Sequence, residues 1–249
     1  MNLSFDGGWQ ATVTEHPLHI TPRFDGGSVR VMHYADVMER ERLVVNTFGS
    51  QHYLWDAPDV FRFDSASRQL VGAEFQLPKE SVLEGSARLP LMPVVRPGGL
   101  HADEVRDFRH EMCTVLCRAP GETVLASLRD HEVLDEPLQA RLGIAPDVAL
   151  LVQHDSVVGW SLTDPARYLT TAFADPDLNP PALATRRLLT EYLDLITQPV
   201  IYEVEDGEPA ALARLRALDE ALHNQREDRH RADVLLSLIA NLVEDYGTW

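Results

Sequence analysis

His110, Cys113 and Cys117, three residues in one short tract, have the types and spacing to bind a metal. On a helix such intervals place all three on one face, and thiolates with an imidazole suit zinc. A closed zinc site needs a fourth ligand, and no neighbouring CxxC supplies it. MCTVLC reads instead as a strand, with Cys113 and Cys117 on one face as core-filling thiols and His110 on the other. The expectation is therefore no bound metal and no cofactor, with His110, Cys113 and Cys117 as the fallback ligand set.

Acid–base chemistry would fall to His33, His52, His110 and His154. His154-Asp155 makes a poor dyad, because adjacent residues of a strand point to opposite faces. DPDLN, Asp175 to Asn179, opens like a calcium loop, but Pro180 stands where that loop needs glycine and Arg186 where it needs a bidentate glutamate. A helix-capping turn explains it better. The dinucleotide-binding glycine fingerprint, the Walker loop, HExxH and GxSxG are all missing. Lys79 is the only lysine and sits in a Pro-Lys-Glu turn, which argues against Schiff-base and phosphate-clamping mechanisms. Trp160, Ser161 and Trp55 are the candidates for contacting a partner, since a tryptophan displayed on a sheet face is a strong interface anchor.

Charge narrows the partners. The net charge is −17, and it is spread through the chain: from Asp175 onward 15 acidic residues face 7 arginines, leaving −9 for the rest. Such a surface repels nucleic-acid phosphates and anionic lipids, so neither nucleic acid nor membrane is an expected partner. A basic protein would be attracted and steered onto it. No apolar run reaches the roughly 20 residues of a membrane span, and MNLSFDGGWQ lacks the basic and apolar regions of a signal peptide. The expectation is a cytoplasmic protein, and arginine usage over lysine suggests a GC-rich bacterial coding sequence.

The elements that must position these residues begin as strands. WQATVTE, PLHITPR, SVRVMHY, RLVVNTF, QHYLWD and VFRFD are short, rich in β-branched and aromatic residues, and separated by Pro, Gly and Asp turns. VFRFD and QLVGAEFQLP form a hairpin, with Phe61, Phe63, Val71 and Phe75 as its core face. EMCTVLCRA, ETVLASL, VALLVQHD and VVGWSL read as four more strands, with a short helix or turn in DEPLQARLGI. Three amphipathic helices follow. The first is capped by Asn179 with Pro180 and carries Leu189, Tyr192, Leu193 and Ile196; the second starts near Pro209; the third carries Leu235, Leu238, Ile239 and Leu242. PVIYEV, between the first two, reads as a lone strand.

LVGAEFQLP and VVGWSLTDP resemble one another: Gly72 and Pro78 recur 87 residues later as Gly159 and Pro165. ERLVV, from Glu41, answers ETVLA, from Glu122. The expectation is an α+β fold with a largely antiparallel β body, in which a β-rich unit 1 (1–85), a Pro/Gly-rich connection (86–102) and a similar unit 2 (103–174) precede a mainly helical segment (175–249) packed on the sheet. Two functions remain. One is an acidic cytoplasmic binding protein that neutralises or sequesters a basic macromolecule, for example an immunity-type inhibitor of a toxin. The other is a small-molecule enzyme using His and carboxylate groups in a cleft between the β units.

Overall fold

The computed structural model describes residues 1–50, 58–81, 89–119, 121, 123–171 and 173–246. In chain order its strands are β1 (Asn2–Ser4), β2 (Gln10–Thr14), β3 (Arg23–Phe24), β4 (Ser28–Val31), β5 (Thr47–Gly49), β6 (Val60–Asp64), β7 (Leu70–Gln76), β8 (Glu80–Ser81), β9 (Val95–Pro97) and β10 (Gly99–Ala102). They continue with β11 (Val115–Arg118), β12 (Val124–Leu128), β13 (Ala140–Ala145), β14 (Val148–Gln153) and β15 (Ser156–Thr163). The helices are α1 (Val37–Asn46), α2 (Leu183–Ile196), α3 (Val200–Glu205), α4 (Pro209–Asn224) and α5 (Arg229–Tyr246). The fold is α+β, with mostly antiparallel sheets and the C-terminal helices packed against them.

Five strands form one sheet in the order β3-β4-β7-β6-β5. The other sheet contains β11, β12, β15, β14 and β13, whose pairings give the same order, again all antiparallel. This second sheet is extended by β1, β2, β8, β9 and β10, so residues from 1–85, 86–102 and 103–174 all contribute to it. β9 pairs with β13 and β10 with β2, which makes most of the described part of the Pro/Gly-rich stretch after Val94 sheet edge.

One core fills the space between the sheets. Val29, Val31, Phe61, Ala73 and Phe75 meet Leu125, Leu150, Trp160 and Leu162 there, all essentially inaccessible to solvent. Phe75 of β7 stacks on Trp160 of β15 with centroids 5.4 Å apart, joining the two fifth strands. The helices bury Leu189, Leu193, Leu215, Leu222, Leu235 and Ile239 into the same core. The Tyr192 hydroxyl of α2 donates to the carbonyl of Gly26 in the β3–β4 turn at 3.3 Å. A second cluster covers the other face of the larger sheet, where Val115, Cys117, Ala126, Leu128 and Leu151 pack with Val133 and Leu138.

Several segments fold otherwise than their composition suggests. RLVVNTF is not a strand: Arg42–Asn46 ends α1 and only Thr47–Phe48 belongs to β5. The helix starts because Asp36 accepts from the Glu39 N–H at 2.8 Å while the Glu39 carboxylate accepts from the Ala35 N–H at 2.8 Å, a reciprocal cap that outweighs two valines. ERLVV therefore does not correspond to the β12 segment it was matched with. PLHITPR stays irregular up to Arg23, its two prolines withholding ladder donors. PVIYEV lies in a helix, α3, where Ile201 and Val204 bury at a spacing of one helical turn. ARLGIA, expected as helix or turn, is the strand β13. EMCTVLCRA becomes strand only from Val115.

Two smaller shifts have local causes. Val71 is only partly buried, because the ladder slips between Arg62 and Phe63 and leaves Val71 as the extra residue; Leu70 and Ala73 take the core face instead. α2 starts at Leu183 and not at Pro180, since Arg231 pulls on the preceding segment, donating to the carbonyls of Asp177 and Asn179. Asp228 replaces the cap, accepting from the Ala182 N–H at 3.3 Å and the Thr185 hydroxyl at 2.8 Å.

Candidate functional site

The residues nominated for metal binding separate. The irregular run before β11 turns His110 and Cys113 into the space between the sheets, while Cys117 packs in the cluster on the opposite face of the larger sheet. Strand alternation had put the cysteines together and the histidine apart; the late start of β11 reverses that. Among the described residues no group of three or more His, Cys, Asp or Glu side chains is arranged to hold a metal ion.

His110 and Cys113 instead join a buried polar cluster. His110 Nδ1 stands 2.8 Å from Asp6 Oδ2, and its ring lies edge-on to Phe5 and Phe61. Arg129 closes on the other Asp6 oxygen at 3.1 Å. Burial pushes the Asp6 carboxyl upward, but hydrogen bonds from His110 and the Glu111 N–H, with the charges of His110 and Arg129, bring it down to about 2. Asp59, 1% exposed, lies next to both His110 and Cys113. Burial dominates there and raises its pKa to about 6, against the Gln76 N–H that it accepts at 2.8 Å and the nearby His110 charge. The Cys113 thiol donates to Asp59, and burial above all holds its pKa well above the ordinary thiol value, so it is a poor nucleophile. Ser127 Oγ, fully buried, has the Cys113 sulfur as its polar neighbour.

The other nominated residues scatter. His33 is exposed after β4. His154 occupies the tip of the β14–β15 hairpin, where it and Asp155 both adopt positive φ, and it pairs with Glu136 at 2.9 Å on the surface. His52 and Trp55 lie outside the described residues. Trp160 and Ser161, proposed as partner contacts, are 1% and 0% exposed. They sit on β15, a strand with neighbours on both sides and clusters over both faces, so neither can meet a partner. Ser161 instead accepts from Arg141 Nε at 3.2 Å.

Acidic surface concentrates at the corner between α3 and α4. Ile201 and Val204 bury one side of the short helix, which turns Tyr202, Glu203 and Glu205 outward, and Asp206 and Glu208 continue the exposed surface through the turn. Tyr202 is 50% exposed, its hydroxyl accepting from Gln198 Nε2 at 2.7 Å. No Lys or Arg occurs between Gln198 and Leu212, and among the described residues none of the four acids has an ion-pair partner. Several carboxylates elsewhere are held by arginines: Arg118 and Arg214 hold Asp194, Arg231 holds Asp228 and Arg186 holds Asp164. The composition pointed to an acidic surface, and VEDGE carried the local signal, but the strand reading of PVIYEV hid it.

No protein-family model matches this chain, and neither a curated protein nor a solved structure is similar to it.

Proposed function

We propose that this is an acidic cytoplasmic binding protein that neutralises or sequesters a basic macromolecular partner, an immunity-type inhibitor of a cationic toxin being one concrete form. The supporting observation is the α3–α4 corner, where four exposed carboxylates without an ion-pair partner among the described residues follow an exposed tyrosine. Tyrosine supplies rigid contact area and a polar tip, while the carboxylates steer a cationic surface toward it. The placement of the described histidines favours this reading over the enzyme, since His33 and His154 stand exposed and His110 is sealed between the sheets. We further infer that the two five-stranded sheets descend from a duplicated unit, on the support of their common strand order.

The test is capture from the native cell with immobilised protein, comparing wild type with a variant carrying Glu203→Lys, Glu205→Lys, Asp206→Lys and Glu208→Lys. The expected partner is a basic protein whose binding weakens about tenfold or more in the variant and in about 1 M salt, where exposed charges are screened beyond about 3 Å. Binding indifferent to both changes would overturn the proposal.

A further inference from the structure

We propose that the cleft between α2 and the ends of β12 and β15 binds a small organic oxyanion, a phosphate or carboxylate carried on a compact apolar body. The cleft has a volume of about 560 Å³ and is lined by Thr123, Thr163, Asp164, Leu183, Arg186, Arg187 and Thr190, among others. That volume falls within the roughly 300–1,000 Å³ of small-molecule sites. Among the described lining residues two guanidinium groups stand against one carboxylate, a positive balance within a chain of net charge −17.

The two arginines differ in availability. Arg186 is bound through both terminal nitrogens to Asp164, Nη1 to Oδ1 at 2.6 Å and Nη2 to Oδ2 at 3.1 Å, which fixes the cleft wall. Arg187, next in sequence, is exposed and has no ion-pair partner among the described residues. A guanidinium free of carboxylates, in a cleft also lined by threonines, has the fork geometry that oxyanions match. The hydroxyl of Thr163 is held by Arg141 Nη2 at 3.2 Å, and that of Thr190 donates to the Arg186 carbonyl at 3.1 Å, so these walls are ordered without a ligand. Arg141 adds positive charge behind Thr163, held by hydroxyls alone, and burial lowers its pKa despite the nearby Asp147. Leu183, 74% exposed at the mouth, supplies apolar surface for the body of the ligand.

The overall acidity makes this a discriminating site. Anions are repelled from most of the surface, so an anion that binds saturably must find a local positive focus. Nothing in this inference depends on the α3–α4 corner, so either proposal can fail alone.

Calorimetric titration at low ionic strength with phenyl phosphate, benzoate and inorganic phosphate tests it. Phenyl phosphate or benzoate is expected to bind saturably with a Kd of about 1 mM or tighter, and the tighter of the two identifies the headgroup. Arg187→Gln, at an exposed position that leaves the fold intact, should weaken that binding about tenfold or more, whereas the single-charge control Arg226→Gln should change it less than about twofold. Inorganic phosphate should bind more weakly than phenyl phosphate because it leaves Leu183 uncovered. Absence of saturable binding by both organic probes, or binding that Arg187→Gln leaves unchanged, would overturn the site.

Discussion

The two five-stranded sheets solve one geometrical problem with different residues. Each closes with a bulged hairpin. In β6–β7 the register slips so that Val71 is extra, and Gly72 follows it; in β14–β15 it slips so that Val158 is extra, and Gly159 follows it. The Val-Gly pairs that echo one another in the sequence therefore mark one device, a bulge that tightens the twist and a glycine that admits the neighbouring chain. What differs is the neighbour. Beside Gly72 it is a side chain, and beside Gly159 it is backbone.

That difference predicts the largest effect. A Cβ at position 159 would stand 2.1 Å from the Ser127 carbonyl oxygen, which belongs to the adjoining strand and cannot retreat without breaking the β12–β15 ladder. A Cβ at position 72 would stand 2.7 Å from Met32 Cγ, a flexible thioether chain that can swing away. Gly159→Ala is expected to destabilise by about 4 kcal/mol or more, and Gly72→Ala by about 1–2 kcal/mol. Urea unfolding of the two variants measures this directly. Equal losses would mean that the glycines do not do different work.

The residues after the glycines carry the rest of the contrast. Ala73 follows Gly72 and the ring comes two residues later, at Phe75, whereas Trp160 follows Gly159 immediately, and the two rings stack across the core. Trp160 reads from the sequence as an interface anchor displayed on a sheet face, but it is 1% exposed. Trp160 serves the packing between the two sheets, where its ring stacks on Phe75 within the core.

Asp59 and Asp6 both interact with His110 and respond oppositely to pH. Asp59 titrates near 6 in the folded protein against an ordinary 3.8, so the native state binds its proton more tightly than the unfolded chain does. Stability from this group falls as pH rises from about 4 to 6, by up to about 3 kcal/mol. Asp6, lowered to about 2, contributes stability that is present above 3.8 and lost as pH falls toward 2. The summed contribution of these two groups is greatest near pH 4. Asp59→Asn keeps an oxygen for the Gln76 N–H and removes the charge, so its stability should be nearly flat between pH 4.5 and 7.5 and exceed that of wild type at the upper end by about 2 kcal/mol. Parallel curves for variant and wild type in thermal melts across that range would count against a buried, strained carboxylate.

Much of this was legible from the residue order, and the reasons for the rest are specific. VFRFD, LVGAEFQ, VALLVQ and SVVGWSLT announce themselves because turns bound them closely and most of their apolar residues face a core. β13 did not, because LGIA is flanked by Arg141 and by a run, DEPLQ, that suggests a turn. α1 was misjudged from Val44 and Val45, which are 43% and 82% exposed and so report nothing about a core; the Asp36 and Glu39 pair was the stronger signal. The polar cluster was half visible. His110 and Cys113 stood out by type, but Asp6, Asp59, Ser127 and Arg129 come from distant segments, and nothing local marks their convergence.

The connection from the second to the third strand separates the two sheets in one further way. In the smaller sheet it is α1, capped by Asp36; in the larger it is a 3-10 turn, His131–Leu134, capped by Asp130, which accepts from the N–H groups of Glu132 at 2.8 Å and Val133 at 3.3 Å. The caps are chemically alike, each of a kind whose loss costs about 1 kcal/mol locally. Their coupling to the core is not alike. α1 has no buried residue, whereas the 3-10 turn drives Val133 into the cluster over the larger sheet, where it is 4% exposed. A local opening of α1 therefore leaves the core intact, and one at Asp130 uncovers Val133. Asp130→Ala should lower global stability by about 1 kcal/mol in urea, while Asp36→Ala should leave the global midpoint nearly unchanged and speed amide hydrogen exchange at Glu39 and Arg40. Equal global losses from the two variants would show that α1 is as much a part of the cooperative unit as its counterpart.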